Sequence, residues 1–166
     1  MRYDVTIRTA TGDDWPALWP ILRAVAAAGD TFTYPRDLDE HTAKALWMEA
    51  PPGRTIVATD ANGTILGTAK INRNQAGAGS HVATASFMVS PAGRGGGVGR
   101  TLGEAAIDWA RTAGFRAMQF NAVVSTNAAA VHLWRSLGFE VVGVVPGAFA
   151  HPVHGDVALN VMHRWL

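Results

Sequence analysis

The run Ala92-Gly93-Arg94-Gly95-Gly96-Gly97-Val98-Gly99 constrains this chain more than any other stretch. So many glycines side by side favour neither a helix interior nor a strand interior, because each loses the most backbone freedom on ordering. The residues before the run alternate like a strand. Those after it, Leu102, Ala106, Trp109 and Ala110, recur at helical spacing up to Gly114. A glycine-rich turn feeding a helix start directs several N–H groups at one point, where the helix dipole adds positive charge, so the place suits a phosphate. Arg94 and Arg100 flank it and add direct charge. A tight turn that merely joins strand to helix would use the same glycines, so the loop alone leaves both readings open. Two phosphate motifs are excluded. The loop ends in Gly99-Arg100-Thr101 without the lysine of a Walker sequence, and neither Gly95-x-Gly97 nor Gly97-x-Gly99 reaches the third glycine of a dinucleotide fingerprint.

The flanking elements follow from periodicity and punctuation. Residues 4–9 alternate, with Val5 and Ile7 on one face. Thr11 to Asp14 offers a helix N-cap, and Pro16 fits the first turn of a helix burying Trp15, Leu18, Trp19, Leu22 and Val25 before Gly29. Residues 30–35 form a polar, aromatic loop. A second helix starts near Leu38, ends before Pro51, and turns Ala43, Leu46 and Trp47 inward. Residues 55–59 and 64–71 flank Asn62-Gly63, a strong hairpin signal, and 81–90 extend the meander. Beyond the glycine loop and its helix, 117–124 is a strand with Met118, Phe120 and Ala122 facing one way. Residues 127–137 form a short helix ended by Gly138. The last strands are 140–145 and 157–162, around a loop rich in Gly, Pro and His. The order is β-α-α-β-β-β-α-β-α-β-β, and with no repeat or linker residues 1–166 read as a single α/β domain.

Composition narrows the function classes. Hydrophobic residues at 48% and charged residues at 16% exclude intrinsic disorder. Fourteen Lys and Arg against 13 Asp and Glu give +1, without the basic excess of a dedicated nucleic-acid binder. The absence of cysteine excludes disulfides, thiolate metal sites and a cysteine nucleophile. No apolar run approaches the ~18 residues of a membrane span, and the N-terminus lacks a signal-peptide core. A cytoplasmic protein with neither nucleic-acid nor membrane partners is expected. Six tryptophans and an apolar final strand leave material for a homodimer patch.

Arg94-Gly95-Gly96-Gly97-Val98-Gly99 has the form Arg-x-x-Gly-x-Gly and follows Phe87-Met88-Val89-Ser90. Downstream, Asn127-Ala128-Ala129-Ala130 leads to Gly138-Phe139. With these two segments in this order, the chain resembles the GNAT superfamily of acyl-CoA-dependent N-acetyltransferases. Its opening segments and its 30–35 loop are most similar to phosphinothricin-acetyltransferase-like members. The resemblance implies a mixed, mostly antiparallel sheet with helices on both faces, whose parallel fourth and fifth strands splay apart to admit pantetheine. It implies acetyl-CoA as cosubstrate, no metal, and direct acetyl transfer to the primary amine of a small molecule in a ternary complex. Arg94, Gly95, Gly96, Gly97, Val98, Gly99 and Arg100 would surround the pyrophosphate. Met88 and Val89 would lie along pantetheine and offer an N–H to the thioester carbonyl, and Asn127 would add a coenzyme contact to its capping role. The alternative is a domain of the same fold that holds acyl-CoA without turnover.

The chemistry beyond the coenzyme is less marked. Trp134 stands where many members of that superfamily carry a tyrosine that protonates the leaving thiolate. Indole N–H is no usable acid, so packing is the expected role of Trp134, and the remaining proton donors nearby in sequence are Ser125 and His132. The fourth strand lacks the carboxylate base of many relatives. His81 has a suitable intrinsic pKa but sits early in that strand, and Asp30 and Glu140 read more simply as cap or surface groups. Phe32, Tyr34 and Phe149 are the candidate walls of the acceptor pocket, with residues 147–155 as a flexible rim. His151 and His154 lack an obvious third ligand, which argues against a metal.

Overall fold

The structure is a computed structural model that describes residues 4–166; residues 1–3, where the first polar positions of the N-terminal segment fall, lie outside the description. Its strands are β1 (Thr6–Thr9), β2 (Arg54–Thr59), β3 (Ile65–Arg73), β4 (Val82–Val89), β5 (Ala117–Val124), β6 (Glu140–His151) and β7 (Gly155–Trp165). The helices are α1 (Trp15–Ala28), α2 (Glu40–Trp47), α3 (Val98–Thr112) and α4 (Ala128–Ser136). One seven-stranded sheet runs in the order β1-β2-β3-β4-β5-β7-β6. Every neighbouring pair is antiparallel except β4 with β5.

Alternation in the central strands divides the core into two layers. Ile56, Ala58, Ala69, Ile71 and Ala85 pack beneath Leu102, Ala106 and Ala110 of α3 and Trp134 of α4. On the other face Val57 and Met88 meet Trp15, Leu18 and Leu22 of α1 and Ala43 and Trp47 of α2. Burial on both faces explains why β2 lacks a polar alternation. Gly103 lets α4 approach α3 closely, since a Cβ there would lie 2.8 Å from Leu137 and 3.0 Å from Trp134.

The entry to α1 carries a charged clamp. Arg8 on β1 holds Asp14 through contacts of 2.7 and 2.8 Å, and the Thr11 amide donates to the same carboxylate at 2.8 Å. The guanidinium, ahead of the Thr11 amide, pulls the Asp14 pKa down from 3.8 to about 2. A depressed carboxylate pKa contributes stability that is complete above the unfolded value and fades as pH falls toward about 2. Arg8 is half exposed, so solvent screening reduces the contribution to ~1 kcal/mol. Asp14→Asn is therefore expected to lose ~1 kcal/mol at pH 7, with the gap to wild type closing between pH 4 and 2, measured by urea unfolding.

Three local expectations need correction. Leu46 is exposed rather than turned inward, because Ala43 and Trp47, one turn apart, take the buried face of α2. Ala122 is exposed rather than aligned with Met118 and Phe120, because a register shift between Phe120 and Val123 breaks the alternation of β5 and buries Val123 instead. Residues 147–155 are not a loose rim. The final hairpin extends through them, with β6 reaching His151 and β7 starting at Gly155. Pro146 and Gly147, which look like breakers, fall within the irregularity between Val145 and Phe149 on an edge strand, where proline disrupts least.

Candidate active site

β4 and β5 pair only at Val82 with Ala117 and Ala83 with Met118. Beyond those residues the strands diverge, and two adjoining cavities open in the gap. The first, about 220 Å³, passes through the sheet. Thr84, Ser86 and Asn121, with Thr31, Phe32, Thr33 and Tyr34 of the 30–35 loop, line it from the α1–α2 side. Phe87, Phe120 and Trp134 close it from the α4 side. The second, about 480 Å³, runs along Phe87, Met88 and Val89 to the glycine loop and is bounded by Asn127, Ala130 and Leu133 of the α4 region.

The glycine loop is built for close approach. Gly95 and Gly97 have φ of 74° and 83°, and a Cβ at either would point into open space. Gly97 caps α3 without a side-chain acceptor. Among the described residues, the N–H groups of Gly95, Gly97, Val98, Gly99 and Arg100 meet no protein acceptor. Ser90 and Gly93 hold the loop's base: the Ser90 hydroxyl accepts from the Gly93 amide at 3.2 Å. A Cβ on Gly93 would fall 2.5 Å from the Leu66 carbonyl oxygen, so only glycine lets the chain turn here.

Individual candidates fall in different places. Met88, Val89, Arg94, Gly95, Gly97, Val98, Gly99 and Asn127 line the larger cavity. Asn127 also caps α4, its Oδ1 accepting from the Ala130 amide at 3.3 Å. Gly96 is buried, and its N–H turns inward to the Gly93 carbonyl. The Arg100 guanidinium is drawn aside to Glu104 and Ser136, at 3.0 and 2.6 Å, which leaves only its main-chain amide facing the loop. Phe32 and Tyr34 line the smaller cavity, and both Phe32 and Asn127 face the two cavities together.

Three candidates are not brought to the gap. His81 sits at the zipped end of β4, its Nδ1 3.1 Å from the Ala78 carbonyl oxygen. Ser125 follows β5, with its amide donating to Ala158, and lines neither cavity. Phe149 is buried at 6% exposure within the β6–β7 hairpin and lines neither cavity.

Trp134 is 7% exposed and packs against Phe87 and Phe120 at centroid distances of 4.6 and 4.8 Å. Its Nε1 meets no protein acceptor, yet no buried polar atom among the described residues lacks a partner, so this N–H reaches an accessible surface. The polar lining from Thr84, Ser86 and Asn121 escaped sequence reasoning, although one signal existed: Thr84 and Ser86 alternate with apolar residues on a central strand, where both faces are normally apolar.

Burial, followed by the nearby Glu49 charge, raises the Tyr34 pKa, so its hydroxyl stays neutral and able to donate. Among the described residues no group of three or more His, Cys, Asp or Glu side chains is placed to hold a metal ion, and no helix is long and apolar enough to cross a membrane.

Comparison with known proteins agrees with this architecture. A GCN5-related N-acetyltransferase from Kribbella flavida is 54% identical with a TM-score of 0.95, each chain 98% covered. Salmonella typhimurium yncA, whose structure holds its cofactor acetyl-CoA, is 27% identical over 98% of this chain and 94% of its own, with a TM-score of 0.85. A phosphinothricin acetyltransferase from Sinorhizobium meliloti shares the fold at 23% identity and a TM-score of 0.87, covering 98% of this chain and 88% of its own. The N-acetyltransferase aca1 of Schizosaccharomyces pombe is 34% identical over 97 residues, which are 58% of this chain and 46% of aca1, so the chain spans about half the length of that relative. Residues 17–139 match the acetyltransferase (GNAT) family, and the chain belongs to that family.

Proposed function

We propose that residues 1–166 form one catalytic domain that transfers the acetyl group of acetyl-CoA to the primary amine of a small molecule by direct attack. The observation that carries this reading is the gap between β4 and β5, with unpartnered main-chain amides at one end and a polar pocket at the other. The residues present fit the coenzyme: the amides of Gly95 and Gly97 to Arg100 suit a pyrophosphate, and the apolar wall of Met88, Val89 and Leu133 suits a thin arm. Bound acetyl-CoA supplies an activated thioester carbonyl. Asn127 and Phe32, which border both cavities, sit where donor and acceptor meet.

No carboxylate or imidazole lines the smaller cavity among the described residues, so the ammonium proton leaves through hydroxyl groups and solvent rather than to a protein base. That feature, with Trp134 in place of an acid, also favours a second reading, a domain that holds acyl-CoA without turnover. Release of free thiol from acetyl-CoA across a panel of small amines separates the two. Amine-dependent thiol release supports transfer, whereas bound coenzyme with no release leaves the binding domain.

Trp134→Phe keeps the aromatic wall and removes only the indole N–H. The turnover rate is expected to stay within a few-fold of wild type, and a collapse of the rate in a folded variant would assign chemistry to that N–H.

A further inference from the structure

The smaller cavity contains an unusual set of groups. The hydroxyls of Thr31, Thr33, Tyr34, Thr84 and Ser86 line it, and among the described residues none has a hydrogen-bond partner in the protein. Asn121 adds an oriented amide, its Nδ2 donating to Asn74 at 2.6 Å while its Oδ1 accepts from Gln119 at 2.9 Å. Among the described residues, no charged side chain lines it.

Among the described residues, the charges on the neighbouring elements are engaged or negative, apart from Arg94, which lines the adjoining cavity at its glycine-loop end. Lys70, opposite Ser86 on β3, donates to the Leu46 carbonyl at 2.7 Å and lies 5.8 Å from the Trp47 ring centroid. Arg36 donates to the Ala27 carbonyl at 2.9 Å. Glu49 accepts from Asn72 at 2.9 Å, and Asn72 stands opposite Thr84. Asp30 is exposed beside Thr31. An anionic acceptor would therefore exchange its hydration for neutral hydroxyl and amide partners without gaining a cation. A neutral group bearing hydroxyl or amide functions would find partners for each polar atom.

We infer that the acceptor is a small amine whose non-reacting part is uncharged and rich in hydroxyl or amide groups, and that amines carrying a carboxylate or phosphonate are discriminated against. This rests on the acetyltransferase reading above and specifies its substrate class. The cavity, about 220 Å³, is of a size for a small polar group.

The test uses the full chain and a matched series with similarly basic amines: γ-aminobutyrate, its carboxamide and the corresponding amino alcohol. Acceptor affinity is measured calorimetrically on the protein saturated with coenzyme A, and kcat/KM by thiol release from acetyl-CoA. The carboxamide and the alcohol are expected to exceed γ-aminobutyrate by about tenfold or more in both readouts. Equal or better performance by the carboxylate overturns the inference and leaves acetyl transfer standing. The predicted affinity order without thiol release supports the pocket's selectivity and refutes transfer. As a second arm, Thr84→Lys places a cation in the lining and is expected to narrow or reverse the discrimination; an unchanged ratio in a folded variant contradicts the argument from charge.

Discussion

Gly97→Asp is expected to lower acetyl-CoA affinity about a hundredfold or more, ~3 kcal/mol, in a protein that still folds. Gly97 caps α3 with a φ of 83° and no side-chain acceptor. An aspartate tolerates that backbone region better than most residues, at a cost of ~1 kcal/mol. Its carboxylate would then accept from the first-turn amides of α3, as an N-cap does, and so recover part of that cost. The same two effects damage binding: the amides that suit a pyrophosphate become occupied, and a negative charge lies where the phosphates would sit. Thermal unfolding and calorimetric titration with acetyl-CoA check the two halves separately. A near-normal melting temperature with lost affinity is the expected pair. Gly97→Ala is the control, since it brings backbone strain without the charge and should cost less binding.

Trp47→Ala is expected to be the most damaging single truncation on the α1–α2 side, at ~3–5 kcal/mol. Trp47 is fully buried, and its indole N–H donates to the Thr68 hydroxyl at 3.0 Å. That hydroxyl donates onward to the Ile56 carbonyl at 2.8 Å, and the Thr55 hydroxyl returns a bond to the Trp47 carbonyl at 2.7 Å. Removing the ring leaves a large cavity between α2 and the sheet and withdraws the support beneath Phe32, whose ring centroid lies 6.3 Å away. Since a chain of this length loses ~2–4 °C per kcal/mol, the melting temperature should fall by roughly 6–20 °C. Trp47→Phe retains most of the volume and loses chiefly the hydrogen bond, ~1 kcal/mol. In whatever fraction folds, the 30–35 wall is less firmly held, so KM for the acceptor should rise more than kcat falls.

The elements legible in the sequence were those with both a periodic face and a stop signal. α3 is one, with the glycine run before it and Leu102, Ala106 and Ala110 along one face, and the Asn62-Gly63 hairpin is another. The coenzyme end was legible because its chemistry lies in main-chain amides, which contiguous glycines announce. The acceptor end was not, because Thr31, Thr84 and Asn121 come from separate segments that only the splay of β4 and β5 brings around one space. The final hairpin is hidden in the sequence because Pro146 and Pro152 count as breakers in a central strand, yet here one falls in an edge-strand irregularity and the other in the turn. Arg100 shows a different limit: its position in the motif suggests a phosphate contact, while Glu104 and Ser136, four and 36 residues further along, draw the guanidinium away.

A crystal structure of the protein grown with acetyl-CoA tests the central claim most directly. The diphosphate is expected within hydrogen-bond reach of the Gly95 and Gly97 to Arg100 amides, and the acetyl group in the opening beyond Ala83 and Met118, facing Thr84 and Asn121. A coenzyme bound elsewhere, or β4 and β5 closed on one another with those amides still unmet, would contradict it.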